Sequence, residues 1–132
     1  MMEVLVVDDD ADIREVARLS LELVGGWTVF VAEGGVDAIE QAILRSPDVI
    51  LLDVMMPGID GVESLQRLSH DQRTSHIPVI LLTAMAQTGQ RRRLEETCAR
   101  GLIAKPFDPL TLVGDIEAIL SATPRQAEGS VE

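Results

Sequence analysis

Five short apolar segments, separated by stretches with helical periodicity, are the feature that most restricts how this chain can fold. They cover residues 4–7, 27–32, 49–52, 79–82 and 102–104. Strands that are apolar on both faces and alternate with helices are typical of a parallel sheet covered by helices on both sides. Because crossovers are right-handed, five such units favour a doubly wound, flavodoxin-like α/β fold with strand order 2-1-3-4-5 and five helices.

Helix start and stop signals fill the gaps between the apolar segments. We expect helices over about 11–24, between Gly35 and Pro47, after Asp60, over about 87–100 and after Asp108. Asp60 with Glu63 is typical of a capping box, and Asp108 followed by a proline is typical of an N-cap. The face of the first helix that we expect to be buried consists of Ile13, Val16, Ala17, Ser20 and Val24. On the fourth helix, Cys98 is predicted to be a small core residue.

Length and charge limit the classes of function. A chain of 132 residues predicts one domain, residues 1–121, followed by a flexible tail or linker start at 122–132. A net charge of −11 argues against direct DNA binding through phosphate contacts. No apolar run approaches the ~18 residues of a membrane span, and the N-terminus lacks the basic region of a secretory signal. We therefore expect a cytoplasmic location without membrane contact.

Polar side chains follow four of the five apolar segments, at the point where each strand should end. Asp8 and Asp9 follow the first, Asp53 the third, Thr83 the fourth and Lys105 the fifth. The carboxyl ends of parallel strands lie along one edge of a sheet, and in this strand order the winding reverses at strand 1. The sequence therefore predicts that the three carboxylates converge, with the hydroxyl and the ammonium beside them.

Such a cluster favours one kind of chemistry. Two carboxylates about 4 Å apart repel each other by roughly 4 kcal/mol at an effective dielectric constant near 20, so a pKa rises or a cation binds. Oxygen ligands with room for water suit Mg²⁺. A carboxylate beside the ion, with a hydroxyl and an ammonium opposite, matches phosphoryl transfer to an aspartate.

Taken singly, each of these residues also has a purely structural interpretation. The acidic run that begins at Asp8 can cap a helix, and Asp53 can be an ordinary turn residue. Thr83 can be a strand-end hydroxyl, and Lys105 can be an exposed cation. Only the combination of groups on four strand ends is specific.

The segments that carry this combination resemble the receiver domains of two-component response regulators. The matching segments are VLVVDDDADIR, DVILLDVMMPGIDG, VILLTA and AKPF, and the resemblance covers about residues 3–120. It implies a phosphoacceptor domain that takes a phosphoryl group from a phosphohistidine, on a sensor histidine kinase or a histidine phosphotransfer protein. The domain would then switch the face of strands 4 and 5 to control a downstream partner. It would catalyse its own phosphorylation and dephosphorylation without being a turnover enzyme.

The resemblance also implies a role for each residue of the cluster. Asp53 is the phosphoacceptor, Thr83 is the switch hydroxyl, and Lys105 is the cation that pairs with the phosphoryl group. The implied ligands of Mg²⁺, with Mn²⁺ as a substitute, are Asp8, Asp9, Asp53 and the backbone carbonyl of Met55. The bond between Lys105 and Pro106 is implied to be cis. Asp10 matches no essential position and is interpreted as a helix cap.

Some positions depart from common patterns of the family. Leu102 stands where many receivers have an aromatic residue, so switching through an aromatic rotamer is not expected. Met55 and Met85 stand two residues after the phosphoacceptor and the threonine, at positions that tune hydrolysis of the aspartyl phosphate. Our hypothesis is that these bulky side chains hinder the attacking water and lengthen the phosphorylated lifetime. The segment before strand 5 lacks the acidic pair of some dimerising receivers, and we do not predict that dimer.

Alternatives remain open at this point. A haloacid-dehalogenase-like phosphohydrolase would use Asp8 and Asp10 as its first-strand pair, but the chain is short for that class and would leave Asp53 without a clear role. A pure interaction module that has lost phosphorylation would not need the five residues of the cluster. The basic run 91–93 on the fourth helix is interpreted as a solvated face, with a docking patch as the second interpretation.

Overall fold

The computed structural model describes residues 2–56, 58, 60–84, 92–94 and 96–122. The elements within these ranges are β1 (Glu3–Val7), α1 (Ala11–Leu23), β2 (Thr28–Ala32), α2 (Gly35–Arg45), β3 (Val49–Asp53), α3 (Gly61–His70), β4 (Val79–Thr83), β5 (Gly101–Ala104) and α4 (Leu112–Ser121). Residues 92–94 are also helical, and they belong to the helix predicted over 87–100. Residues 85–91 of that region and residues 123–132 of the predicted tail lie outside the described part. No helix within it is long and apolar enough to cross a membrane.

The five strands form a single parallel sheet in the order β2-β1-β3-β4-β5, which confirms the predicted doubly wound topology. Its register aligns the carboxyl ends of the strands. Val7 at the end of β1 lies beside Leu52, and Asp53 lies beside Leu82. Thr83 at the end of β4 lies beside Ala104 at the end of β5. The residues that follow these strands therefore meet at one edge.

Alternate side chains of the strands build two cores, one on each face of the sheet. The face under α2 and α3 buries Leu5, Ile50, Leu52, Leu81, Ala38, Ala42, Leu65 and Leu68. The face under α1 and α4 buries Val6, Leu51, Leu82, Ala17, Leu21, Leu112 and Ile116. Each large side chain among them contributes about 1.5–3 kcal/mol through its burial. The central strands β1, β3 and β4 each carry four consecutive buried apolar residues, because both of their faces are covered.

The buried face of α1 differs from the prediction at three positions. Ala17 and Ser20 are buried as expected, but Leu21 is fully buried while Val16 and Val24 are exposed. The Ser20 hydroxyl donates to the backbone carbonyl of Pro109, in the segment before α4. This contact turns the side of α1 that carries the small residues toward α4, and Leu21 then reaches the core.

The segment before β5 is not helical, so the prediction of a helix reaching residue 100 is wrong at its end. The Thr97 hydroxyl donates to the Leu94 carbonyl at 2.5 Å, and the Thr97 backbone N–H donates to the same oxygen at 3.1 Å. Such local hydrogen bonds compete with a continued helix. Cys98 is consequently exposed, and its predicted core position is wrong.

Two of the three predicted helix caps are present. Asp10 accepts from the backbone N–H of Asp12 at 2.9 Å and caps α1, and Asp60 accepts from Glu63 N–H at 2.9 Å and caps α3. Asp108 instead closes a turn, because its carboxylate accepts from Leu110 N–H at 2.8 Å, and α4 begins only at Leu112.

Candidate functional site

Three carboxylates converge at the carboxyl edge of the sheet, as the strand order predicted. One oxygen atom from each of Asp8, Asp9 and Asp53 lies within 4.8 Å of the other two. The side chains differ in burial, because Asp8 is 0 % and Asp53 is 3 % exposed whereas Asp9 is exposed. The cluster therefore has two buried oxygen donors and one that faces solvent.

The turn between β1 and α1 fixes the position of Asp8. Its backbone N–H donates to Ala32 O at 3.2 Å, which continues the pairing of β1 with β2. Its Oδ1 accepts from the Asp10 N–H at 2.9 Å. Asp10 then caps α1, which confirms its interpretation as a capping residue. The acidic run is therefore divided between one cap and two residues of the cluster.

Lys105 joins the two buried carboxylates. Its Nζ lies 2.8 Å from Oδ2 of Asp8 and 3.3 Å from Oδ1 of Asp53. The backbone N–H of Lys105 donates to Thr83 O at 2.8 Å, so the end of β5 is tied to the end of β4. The peptide bond from Lys105 to Pro106 is cis, as predicted. The half-buried ammonium thus compensates part of the negative charge of the cluster.

The pKa values of Asp53 and Lys105 are both raised, so the environment favours the protonated form of each group. Burial, reinforced by the charge of Asp8, raises the pKa of Asp53 to about 6, although Lys105 and the Met55 N–H oppose the rise. Partial burial lowers the pKa of Lys105, but the hydrogen bond that Lys105 donates to Asp8 and the charges of both carboxylates outweigh it and raise that pKa above its ordinary value. Near neutral pH, the site holds an ionised Asp53 next to a fully charged Lys105.

The donor set of the cluster fits a hard divalent cation. Carboxylate oxygens with one solvent-facing member suit Mg²⁺, which keeps part of its water shell. Met55 lies beside the cluster, because its backbone N–H donates to Oδ1 of Asp53 at 3.3 Å. Its side chain is 65 % exposed. The role of the Met55 carbonyl as a ligand stays a prediction.

The structure describes some of the remaining predicted positions and not others. Thr83 is buried at the end of β4. Leu102 on β5 is half-buried and packs against the core on the α2 and α3 face. Met85 and Arg91 lie outside the described residues. Arg92 and Arg93 are exposed, as expected for a solvated helix face.

The sequence analysis missed two residues that lie against the backbone of the site residues. A Cβ atom on Gly61 would lie 2.3 Å from the carbonyl oxygen of Asp53 and 2.7 Å from Cα of Val54, so only glycine lets α3 begin there. Arg14 on α1 donates from Nη1 to the carbonyl oxygen of Asp8 at 2.7 Å. A glycine directly after the Asp60 cap is a signal that could have indicated the first contact. Nothing local in the sequence indicates the second.

Comparisons with known proteins agree with this geometry. The family model described as "Response regulator receiver domain" matches residues 4–117. The phosphate regulon transcriptional regulatory protein PhoB of Pseudomonas aeruginosa is 39 % identical over 130 residues, which cover 98 % of this chain and 56 % of that protein. The DNA-binding dual master transcriptional regulator RpaA of Synechocystis is 35 % identical over 125 residues, which cover 95 % of this chain and 52 % of that protein. The chain thus spans about half the length of these curated relatives.

Solved structures share the fold over nearly their whole length. The chemotaxis protein CheY4 of Vibrio cholerae superposes with a TM-score of 0.83 at 29 % identity, covering 90 % of this chain and 98 % of that one. The signal receiver domain of a signal transduction histidine kinase from Syntrophus aciditrophicus superposes with a TM-score of 0.81 at 30 % identity, covering 92 % of this chain and 91 % of that one.

Proposed function

Because the chain belongs to the response regulator receiver domain family, we propose that Asp53 accepts a phosphoryl group and that the domain acts as a signalling switch. The donor is a phosphohistidine on a sensor histidine kinase or a histidine phosphotransfer protein. The observation that carries the proposal is the contact of one ammonium, Lys105 Nζ, with the carboxylates of both Asp8 and Asp53. An ammonium beside a buried aspartate is placed to stabilise the negative charge that develops on the oxygens of the phosphoryl group during the transfer.

The transfer requires an ionised nucleophile. A pKa of about 6 leaves Asp53 mostly ionised at neutral pH, while its burial keeps competing water away. One carboxylate oxygen of Asp53 forms a bond to phosphorus as the phosphorus–nitrogen bond of the donor breaks, and the imidazole leaves with the electron pair of that bond. Lys105 moves its hydrogen bond from Asp53 to a phosphoryl oxygen, and the Thr83 hydroxyl donates to another.

The acidic cluster would hold Mg²⁺, or Mn²⁺ as a substitute, through Asp8, Asp9 and Asp53. When bound, the ion neutralises negative charge on the phosphoryl oxygens. The fit is supported by the three carboxylate oxygens within 4.8 Å of one another. Lys105 alone compensates one negative charge, so the carboxylates retain charge for a divalent ion to neutralise.

The switch follows from the connection between the ends of β4 and β5. The backbone of Lys105 donates to the carbonyl of Thr83 at 2.8 Å, so a pull of the phosphoryl group on both side chains acts on one linked unit. The added dianion biases an equilibrium between two arrangements of this face. The domain catalyses its own phosphorylation and hydrolysis, and its output is the bound partner rather than a released product.

We further propose that the exchange takes place in the cytoplasm and that the downstream target is a protein. The net charge of −11 opposes binding of this domain to the phosphates of DNA. The relatives named as transcriptional regulators are about twice as long as this chain, and DNA binding in a similar arrangement would belong to another domain.

The proposal is tested by intact mass after incubation with acetyl phosphate, with Mg²⁺ or with EDTA. The wild-type protein is expected to gain one phosphoryl group only with Mg²⁺, and Asp53→Asn is expected to gain none. Asp12→Asn, an exposed aspartate in the first turn of α1, serves as the matched control and should behave like the wild type. An unmodified wild type, or a modified Asp53→Asn, would contradict the proposal. Turnover of a small phosphate ester that survives Asp53→Asn but is lost in Asp8→Asn would instead indicate a phosphohydrolase.

A further inference from the structure

Arg14 is an arginine on the first turns of α1 whose guanidinium turns away from solvent. Its side chain is only 15 % exposed, and Nη1 donates to the backbone carbonyl of Asp8 at 2.7 Å. Arg18, one turn later on the same helix, behaves differently, because it pairs with Glu15 at 2.5 Å and Glu22 at 2.8 Å on the surface. A side chain on a helix leans toward the N-terminus of that helix, which explains how Arg14 reaches back to the end of β1.

The contact fixes one particular peptide group. The Asp8 carbonyl belongs to the peptide that joins Asp8 to Asp9, and its orientation sets the direction in which the Asp9 side chain leaves the backbone. Asp8 is already held by the Ala32 carbonyl and by the Asp10 N–H. Asp9 lies exposed on the turn, so its carboxylate is aimed mainly by the backbone. The guanidinium therefore completes the support of the one solvent-facing member of the acidic cluster.

The other end of the guanidinium makes a weaker contact. Nη2 of Arg14 lies 3.5 Å from Oε1 of Glu33, whose side chain is 80 % exposed. Exposed ion pairs of this kind contribute little free energy, whereas a charge-assisted hydrogen bond to a part-buried carbonyl is strong. The hydrogen bond to Asp8 is thus the contact that orders Arg14.

We propose that Arg14 is a positioning residue for the divalent-cation site. It holds the peptide between Asp8 and Asp9 and thereby aims the Asp9 carboxylate toward the ion. The inference rests on the proposed function, because it assigns a support to the same acidic cluster. The proposal predicts two different effects of losing the Arg14 side chain. The affinity for the ion falls, whereas the rate of phosphoryl transfer at saturating ion stays unchanged.

The test measures binding of Mn²⁺ by electron paramagnetic resonance in the absence of any phosphodonor, on the wild type, Arg14→Gln, Arg14→Lys and Arg18→Gln. Asp9→Asn identifies which binding belongs to the cluster. Loss of an outer partner of a metal ligand weakens affinity 10–100-fold as a rule, and we expect about 10-fold for Arg14→Gln. Arg14→Lys keeps the charge without the planar fork and should fall between Arg14→Gln and the wild type. Arg18→Gln, which removes the same charge from the same helix, should bind within about twofold of the wild type.

Phosphorylation by acetyl phosphate gives the second readout. Arg14→Gln should need about 10-fold more Mg²⁺ for the half-maximal rate and reach the wild-type rate at saturation. If Arg14 only stabilises the fold, Arg14→Gln should lower the stability against urea without raising the Mg²⁺ concentration needed for the half-maximal rate. Unchanged Mn²⁺ affinity in Arg14→Gln, or equal weakening in Arg18→Gln, would overturn the inference. If Arg14→Gln does not fold, Arg14→Lys decides in the same way.

Failure of the proposed function and failure of the inference about Arg14 give different experimental results. A wild-type protein that binds no Mn²⁺ removable by Asp9→Asn and accepts no phosphoryl group overturns the proposed function and the inference together. A wild-type protein that does both, with a metal dependence that Arg14→Gln leaves unaltered, overturns only the inference.

Discussion

Nζ of Lys105 lies 2.8 Å from Asp8 and 3.3 Å from Asp53, so the only lysine in the sequence bridges carboxylates that follow two different strands. The sequence contains ten arginines, but none of them stands here. An ammonium is a compact charge that can contact two oxygens in different directions, whereas a guanidinium presents a wide planar fork. The bridge explains why this position carries a lysine.

Replacing the bridging cation should slow phosphorylation. We expect Lys105→Gln to lower the rate with acetyl phosphate at saturating Mg²⁺ by about 100-fold, because a charged donor to the phosphoryl oxygens is lost. Lys105→Arg should recover little of the rate, since its fork does not match the two carboxylates. Intact mass of quenched samples gives the rates. A Lys105→Gln protein phosphorylated at the wild-type rate would show that the contact has no part in the transfer.

Removing the buried charge of Asp53 should stabilise the metal-free protein at neutral pH. The pKa of Asp53 is about 6 in the folded state against an ordinary value of 3.8, so between these pH values the folded state holds more protons. The contribution of Asp53 to the free energy of unfolding therefore falls as the pH rises from about 4 to about 6. In EDTA at pH 7.5, Asp53→Asn should be more stable than the wild type by about 1–3 kcal/mol, and the difference should vanish at about pH 3.5.

Urea denaturation followed by circular dichroism at both pH values measures this difference. Asp12→Asn, which alters an exposed carboxylate, should show no comparable gain. Equal stability of Asp53→Asn and the wild type at pH 7.5 would mean that Asp53 carries no electrostatic strain.

Adding one methyl group at Gly61 should destabilise the protein. The new Cβ would lie 2.3 Å from the Asp53 carbonyl oxygen, which is backbone and has little room to move. We expect Gly61→Ala to lose about 1–3 kcal/mol of unfolding free energy, as is usual for overpacking. Gly114→Ala is the matched control, because nothing lies within 4 Å of its Cβ and a helix interior prefers alanine. Urea denaturation should show a lower unfolding free energy for Gly61→Ala and a higher one for Gly114→Ala, each relative to the wild type. Changes of the same sign would contradict the steric role assigned to Gly61.

A polar residue in place of Met55 should shorten the phosphorylated lifetime. The side chain is largely exposed, and the backbone N–H of Met55 contacts Asp53. Our hypothesis is that this side chain hinders the water that attacks the aspartyl phosphate. We expect Met55→Asn or Met55→Glu to accelerate loss of the phosphoryl group several-fold, since either side chain can orient water. Met56→Leu, at a buried neighbour, should leave the rate unchanged. Decay is followed by intact mass after the phosphodonor is removed, and an unaltered rate in both polar variants would reject the hypothesis.

The topology and the meeting of the cluster residues were predictable because both depend on short-range patterns. Each strand contains an apolar run, and the residue after Val7 or Leu52 must lie at the edge where the strands end. What could not be predicted depends on contacts between distant segments. The inward turn of Leu21 follows from the packing of α1 beside α4, and the end of the helix before β5 depends on the hydroxyl of Thr97. The contact of Arg14 with Asp8 could not be predicted, because it depends on the backbone conformation of the turn between them.

The uneven exposure of the carboxylates has a consequence for the proposed function. Asp8 and Asp53 are buried, whereas Asp9 and Met55 face solvent, so the cluster opens on one side. Under the proposed function, a donor protein that presents a histidine to Asp53 would cover that opening. A cation would then have to bind before the donor docks, and it would be released only after the donor leaves.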